Sequence, residues 1–248
     1  MCTVVVLFRP GHAWPLILAA NRDEMIDRPW RAPGRHWPDR PRVVAGQDQL
    51  AGGTWLGRND EGVVAGILNR PGSLGPEKGK RSRGELPLAA LDRADARAAA
   101  DALARVDPGA YRTFNMVVAD RRSAFWLRRA DETDMIESFP MPEGLSMITA
   151  HDRNDSASAR IRHYLPLFAE ATPPDPGAGD WADWRALLAS GETAPGAGPR
   201  EAMFIAPDRG YGTVSSSLVA LPANADAGPV WLFAPGFPNP APFAPVAA

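Results

Sequence analysis

Residues 1–24 read Met-Cys-Thr-Val-Val-Val-Leu-Phe-Arg-Pro-Gly-His-Ala-Trp-Pro-Leu-Ile-Leu-Ala-Ala-Asn-Arg-Asp-Glu, and this stretch decides the fold. Val4 to Phe8 is apolar and β-branched, Arg9-Pro10-Gly11-His12 has turn chemistry, and Trp14 to Ala20 is a second apolar run. The pattern predicts an antiparallel hairpin, with Asn21-Arg22-Asp23-Glu24 as four polar groups at the end of strand two. A short turn returns the end of strand two to the start of strand one, which predicts Arg22 and Asp23 close to Cys2. A solvated charge cluster in a turn is the plainer reading of the same residues.

Working outward, further hairpins are predicted from Gly53–Arg58 to Val63–Asn69 across Asn59–Gly62, and from Phe114–Ala119 to Ala124–Arg129 across Asp120–Ser123. Thr213–Leu221 and Val230–Ala234 supply the last strands. Ile26–Arg42 holds Pro29, Pro33, Pro38 and Pro41 and reads as an irregular loop, while Pro71–Arg83 reads as mobile surface. A capping box at Ser82 and Glu85 opens two alanine-rich helices that divide near Arg93–Asp95 and run on to Val106. Ser156–Ala171 and Trp181–Leu188 are further helices, and the Pro/Ala-rich tail after Pro235 is expected to wrap the surface. Eight to ten strands and four helices in this order indicate antiparallel sheets covered by helices, rather than a doubly wound parallel sheet. No Gly-rich nucleotide motif opens a helix after a strand.

The 248 residues, 45% hydrophobic and 23% charged, suit one sizeable domain spanning 1–248. With 27 basic and 29 acidic residues there is no basic field for nucleic acid or anionic lipid. No apolar run approaches the ~20 residues needed for a membrane span, and the N-terminus lacks signal-peptide character, so a cytoplasmic location is expected. Cys2 is the one cysteine, which excludes an internal disulfide. His12, His36, His151 and His163 have no ligand spacing, so neither metal nor cofactor is expected.

Cys2 directly follows Met1, and a small second residue normally permits removal of that methionine. The product would carry a thiol and a free α-amine on one residue. Such an amine titrates near ~7.7–8.0 and can act as a base at neutral pH. Thiol and amine together form a nucleophile with a built-in base. An arginine at position 22 would favour the thiolate, and the Asp23 carboxylate could fix the amine or a substrate amide. On position alone, a small buried hydrophobe leading a strand is the favoured reading of Cys2, and the surrounding pattern reverses that preference.

Cys2, Asn21-Arg22-Asp23-Glu24, Gly53-Thr54-Trp55-Leu56-Gly57 and Phe114-Asn115 resemble the NRDE family, also called the transport and Golgi organisation protein two family. The resemblance covers at least residues 1–221. It implies an α+β fold, the four-layer αββα sandwich of the N-terminal nucleophile (Ntn) hydrolases. More distantly, Cys2, Arg22, Asp23 and Ala65-Gly66-Ile67-Leu68-Asn69-Arg70-Pro71-Gly72 are similar to choloylglycine hydrolase and penicillin V acylase. That resemblance implies that Cys2 attacks an amide carbonyl and that Asn69 helps hold the oxyanion. Those amidases carry a late arginine where Gly212–Ser217 offers hydroxyls, and their second asparagine has only His151, Asp152 and Asn154 as candidates here.

Catalytic candidates are therefore Cys2, Arg22, Asp23 and Asn69, and substrate-binding candidates are Trp55, Asn115, His151, Asn154 and Ser215. Each of several features has a structural alternative. Gly52, Gly53 and Gly57 could let backbone N–H groups approach a ligand or simply allow close packing around Trp55. The His151–Asp155 segment could contact substrate or cap a helix through Asp155 or Ser156. Ser215 could donate to substrate or merely belong to a polar strand face. The eight tryptophans could line an apolar acyl pocket or anchor core and loops. Two functions remain. One is a Cys2 hydrolase acting on an amide or acyl bond of a small substrate with an apolar group; the other is a non-catalytic carrier of an apolar metabolite, haem or acyl thioester.

Overall fold

The structure, a computed structural model, describes residues 2–247. Its strands are β1 (Thr3–Phe8), β2 (Leu16–Met25), β3 (Trp30–Gly34), β4 (Val43–Asp48), β5 (Leu56–Asn59), β6 (Val64–Asn69), β7 (Phe114–Ala119), β8 (Ala124–Arg129), β9 (Glu137–Pro140), β10 (Gly144–Ile148), β11 (Tyr211–Leu221), β12 (Val230–Pro235) and β13 (Ala244–Pro245). The α-helices are α1 (Glu85–Leu91), α2 (Ala96–Leu103), α3 (Ala159–Glu170) and α4 (Ala182–Leu188). Two compact units are distinguished, residues 2–28 with 143–245 and residues 29–142 with 246–247.

In the first unit the strand order is β10-β1-β2-β11-β12-β13, antiparallel throughout. Val5, Ile17, Ala19, Met147 and Leu218 form one sheet face and pack against Ile161, Tyr164 and Phe168 of α3 and Trp184 and Leu188 of α4. Phe168 and Trp184 meet edge to face at 5.2 Å, and side chains of this size each contribute about 1.5–3 kcal/mol on burial. Val4, Val6, Leu16 and Leu18 on alternate positions are buried as well, which explains why β1 and β2 read as continuous apolar runs.

The β1–β2 hairpin forms as expected, but β2 does not stop at Ala20. It continues to Met25, so Asn21–Glu24 lie within a strand whose outer neighbour is β11. Asn21, Arg22 and Asp23 are buried; the motif is neither a turn nor a solvated charge cluster. Helix α3 starts after Ser158, whose hydroxyl accepts from the Ile161 N–H at 3.3 Å, rather than at Ser156. Asp155 instead accepts from the Ala157 N–H at 2.9 Å and shapes the preceding turn.

The second unit is an antiparallel meander in which β3 to β9 pair in sequence order. One face, including Val43, Ala45, Phe114, Met116 and Leu127, packs against Leu88 and Leu91 of α1 and Ala99 and Leu103 of α2. The β7–β8 hairpin matches the expected boundaries, and the Asp120 carboxylate holds its turn by accepting from the N–H groups of Arg122 and Ser123. Asp95 caps α2 by accepting from the Ala98 N–H at 2.7 Å. The Ser82–Glu85 capping box does not form, because Glu85 is engaged by the Tyr111 hydroxyl and Arg81. The proline-rich segment expected to be irregular contains β3, where Pro33 is tolerated because the strand is at the sheet edge. Likewise, two residues of the tail form β13 at the edge of the first unit's sheet.

Two glycines near Trp55 stand where a side chain would clash. A Cβ on Gly46 would fall 2.3 Å from the Trp55 ring, and one on Gly53 would fall 2.4 Å from the Gly84 carbonyl carbon. Among the described residues no helix is long and apolar enough to cross a membrane.

Candidate active site

Thr3 opposes Asn21 in the β1–β2 register, so one further step sets Cys2 opposite Arg22. Directly opposed residues of an antiparallel pair project to the same face, and successive residues alternate. Arg22 therefore shares the face of Cys2, whereas Thr3, Asn21 and Asp23 project toward α3 and α4. Cys2 is half-buried, and its thiol donates to the main-chain oxygen of Asp23 at 3.5 Å. Arg22 is 5% exposed, with Nη2 3.8 Å from Glu24 Oε2; the Glu24 carboxylate also lies 3.7 Å from Arg28 Nε.

Behind the thiol, Asp23 is held in a buried charge network. Its Oδ2 accepts from Arg160 Nη1 at 3.1 Å, and its Oδ1 accepts from the Thr213 hydroxyl at 2.7 Å. Both side chains of the Asp23–Arg160 pair are fully buried. Arg160 Nη1 also donates to Thr3 Oγ1 at 2.8 Å and Nη2 to the Arg200 carbonyl at 2.6 Å. Because Thr213 Oγ1 accepts from the Ile205 N–H at 2.8 Å, its own proton is directed at Asp23. These hydrogen bonds offset part of the cost of burying the ion pair. Asn21 is an anchor: Nδ2 donates to the carbonyls of Leu188 and Met203, and Oδ1 accepts from the Ser216 hydroxyl.

A β-bulge in β11 gives Thr213 and Ser215 different tasks. Thr213 opposes Asp23 and Ser215 opposes Arg22, leaving Val214 as the extra residue. In a regular strand residues two apart share a face; here the bulge turns Thr213 to the Asp23 carboxylate and puts Ser215 in the row of Cys2 and Arg22. At the head of the same strand the Tyr211 hydroxyl donates to the Asp23 main-chain oxygen at 3.3 Å, the oxygen that the thiol also uses.

Burial, followed by the Asp23 carboxylate, pushes the Cys2 thiol above its ordinary value. This is the reverse of the depression expected from Arg22, whose guanidinium lies near Glu24. Met1, whose removal would free the Cys2 amine, lies outside the described residues. In a chain that keeps Met1, alkylation of Cys2 by iodoacetamide is expected to be slower than that of free cysteine at neutral pH. It should go on accelerating above about pH 8.5, the ordinary thiol value. A rate equal to that of free cysteine at neutral pH would contradict the raised thiol.

The remaining sequence candidates have these places. In the first unit, Asn154 sits at φ 57° and accepts from the Met147 N–H through Oδ1 at 2.7 Å, fastening the turn after β10. His151 Nδ1 is 3.8 Å from Asp155 Oδ2. In the second unit, Asn69 ends β6 opposite Phe114, and its side chain makes no hydrogen bond among the described residues. Asn115 is fully buried, its Oδ1 accepting from Arg70 Nη1 at 2.9 Å and Trp126 Nε1 at 3.2 Å. Trp55 meets Trp30 edge to face at 6.0 Å. Arg160, Thr3, Thr213 and Tyr211 were not singled out by the sequence. The one local signal for Arg160 is its position beside Ile161 on the stripe of α3 that faces the sheet.

A profile of the family described as Transport and Golgi organisation 2 matches residues 1–227. The Transport and Golgi organization protein 2 homolog of Bos taurus is 34% identical over 129 residues, 48% of this chain and 45% of the relative. The Mus musculus homolog is 38% identical over 95 residues, 35% of this chain and 33% of the relative. The aligned part of the chain thus spans less than half the length of these relatives. Among solved structures, the Caenorhabditis elegans ortholog of N-acylethanolamine-hydrolyzing acid amidase matches at a TM-score of 0.63 and 16% identity, covering 91% of this chain and 96% of that one. The C2A mutant of conjugated bile acid hydrolase from Clostridium perfringens matches at 0.57 and 13% identity, covering 99% and 92%. These likenesses establish the expected fold, α+β of the Ntn-hydrolase type. The profile covers nearly the whole sequence, and the chain belongs to the Transport and Golgi organisation 2 family.

Proposed function

We propose that this protein is an N-terminal-cysteine hydrolase that cleaves an amide or acyl bond of a small substrate carrying an apolar group. One observation carries the reading: the Cys2 thiol leads β1 and is fastened to the Asp23 main chain, directly in front of the buried Asp23–Arg160–Thr213 network. A structural cysteine at a strand start needs no such backing. The fold shared with a named amidase and a named bile acid hydrolase supports the same reaction class.

In this reaction Met1 is removed and the Cys2 amine takes the thiol proton. Sγ attacks the substrate carbonyl carbon, and the resulting oxyanion is stabilised by Asn69 and backbone N–H donors, groups of a kind that contribute about 10²–10³ each to rate. The ammonium returns the proton to the leaving nitrogen as the C–N bond breaks, leaving a thioester on Cys2. Water, deprotonated by the same amine, attacks the thioester and releases the acid. Arg22 and Asp23 position the nucleophile and substrate; Trp55, Asn115, His151, Asn154 and Ser215 are the proposed substrate contacts. The N-acylethanolamine-hydrolyzing amidase that shares this fold acts on an amide of an acyl chain, which supports an apolar acyl group in the substrate.

Intact-mass measurement tests this directly. The purified chain is expected to lack Met1 and, after mixing with an acyl p-nitrophenyl ester, to gain one acyl group on Cys2. Retention of Met1, or acylation at any other residue, would overturn the proposal.

A further inference from the structure

The head of β11 carries a second group at the nucleophile that the reaction above leaves unused. The Tyr211 hydroxyl and the Cys2 thiol donate to the same oxygen, the Asp23 carbonyl, at 3.3 and 3.5 Å. A carbonyl oxygen has two lone pairs and can accept both. A deprotonated thiol gives up its bond to this oxygen, whereas the phenol keeps its own and remains beside the position the thiol proton leaves.

We propose that Tyr211 is a catalytic residue, donating a hydrogen bond to the substrate carbonyl oxygen as attack by Cys2 makes that oxygen negative. The inference rests on the Cys2 hydrolase reading and adds a donor to it. No proton is transferred to the oxygen, so the balance of the reaction is unchanged; the phenol O–H exchanges the Asp23 carbonyl for the oxyanion.

Three further features suit Tyr211 to this task. Its backbone is fixed by paired hydrogen bonds with Asp208 at 2.9 and 3.0 Å. Its ring lies under the Arg200 guanidinium at 5.5 Å, and Arg200 is itself tied to Asp208. The ring is thereby anchored while the hydroxyl reaches the nucleophile. Burial, then Cys2, Asp23 and Glu24, push the phenol well above its ordinary value. It therefore stays a neutral donor at every working pH and is a poor proton source, which favours hydrogen bonding over general-acid catalysis. A preorganised donor aimed at developing charge is the arrangement that lowers acyl-transfer barriers most.

The test compares wild type with Tyr211→Phe in acylation of Cys2 by a p-nitrophenyl ester and by the p-nitroanilide of the same acyl chain. Both rates are expected to fall by about 10²–10³-fold, with KM and the iodoacetamide reactivity of Cys2 changing by no more than about threefold. A loss confined to the anilide would make Tyr211 a general acid, and a parallel loss of alkylation would make it a structural support; either overturns the inference. Incorporating 3,5-difluorotyrosine at position 211 preserves size and strengthens the donor, so acylation should equal or exceed wild type. A loss as large as that of Tyr211→Phe overturns the inference even if the Phe variant folds poorly. Normal wild-type acylation with an unaffected Tyr211→Phe rejects this donor alone. A wild type that shows no Cys2 acylation rejects the hydrolase reading and the donor together.

Discussion

Arg160→Met is expected to destabilise the fold by about 3–5 kcal/mol, the range found when one partner of a buried ion pair is removed. The guanidinium and the Asp23 carboxylate are both fully buried at 3.1 Å. Without Arg160 the carboxylate retains the Thr213 hydroxyl but loses its charge partner, and Thr3 Oγ1 and the Arg200 carbonyl lose a donor. At about 2–4 °C per kcal/mol for a chain of this size, the melting temperature should fall by roughly 6–20 °C. Replacing both partners, Asp23→Leu with Arg160→Met, should recover much of that loss because no uncompensated charge remains. Urea and thermal unfolding of the single and double variants measure both numbers. A single variant that melts within about 1 °C of wild type would show that the pair is not the electrostatic keystone its burial implies. Stability and chemistry are linked at this point, because the main-chain oxygen of the residue that Arg160 holds is the acceptor for the Cys2 thiol.

That network also marks where sequence reading ends. Val4–Phe8 and Phe114–Ala119 announce themselves because apolar β-branched runs beside a polar turn have few other solutions, and both expected hairpins form. The division between the two alanine-rich helices near Arg93–Asp95 is legible for the same local reason, and Asp95 proves to cap the second of them. Asn21–Glu24, in contrast, reads as a strand end or a solvated charge cluster, because four polar residues have no local means of entering a sheet interior. What admits them is supplied from 137 residues away by Arg160 and from 190 away by Thr213. The bulge at Val214, which sets whether Thr213 or Ser215 meets Asp23, leaves no mark in the sequence Gly212-Thr213-Val214-Ser215. Arg160 is hidden differently. The helix start Ser158-Ala159-Arg160-Ile161-Arg162 offers two arginines, of which Arg162 is exposed and Arg160 is buried. An arginine there usually stays at the surface, and Arg160 points inward only because Asp23 and Thr3 lie beneath α3. The nearness of Asp23 to Cys2 was legible, since a hairpin fixes which residues stand opposite the start of its first strand. Arg160 and Thr213, which hold Asp23, were not.

Cys2→Ala is expected to reduce amide or ester hydrolysis by at least about 10³-fold, or about 4 kcal/mol of barrier. Removal of the attacking atom leaves only donors that can bind the carbonyl. The variant keeps the α-amine after Met1 removal, so any residual rate reports the amine and the oxyanion donors acting on bulk water. A complementary chain, with Cys2 intact but Met1 retained behind a blocked amine, keeps the nucleophile and loses the base. Its thiol, already raised by burial and Asp23, should acylate slowly at neutral pH and recover partly as the pH is increased. The two variants thus fail for different reasons: the first at every pH, the second mainly where the thiol is protonated. The carrier alternative makes the opposite forecast. It requires tight binding of an apolar ligand that is equal in wild type and Cys2→Ala, with no acyl group on Cys2 and no turnover by either. If Cys2→Ala hydrolyses as fast as wild type, the thiol is not the nucleophile, and the Asp23–Arg160 network stands behind a structural strand end. If hydrolysis vanishes while ligand binding persists, the network stands behind a working nucleophile.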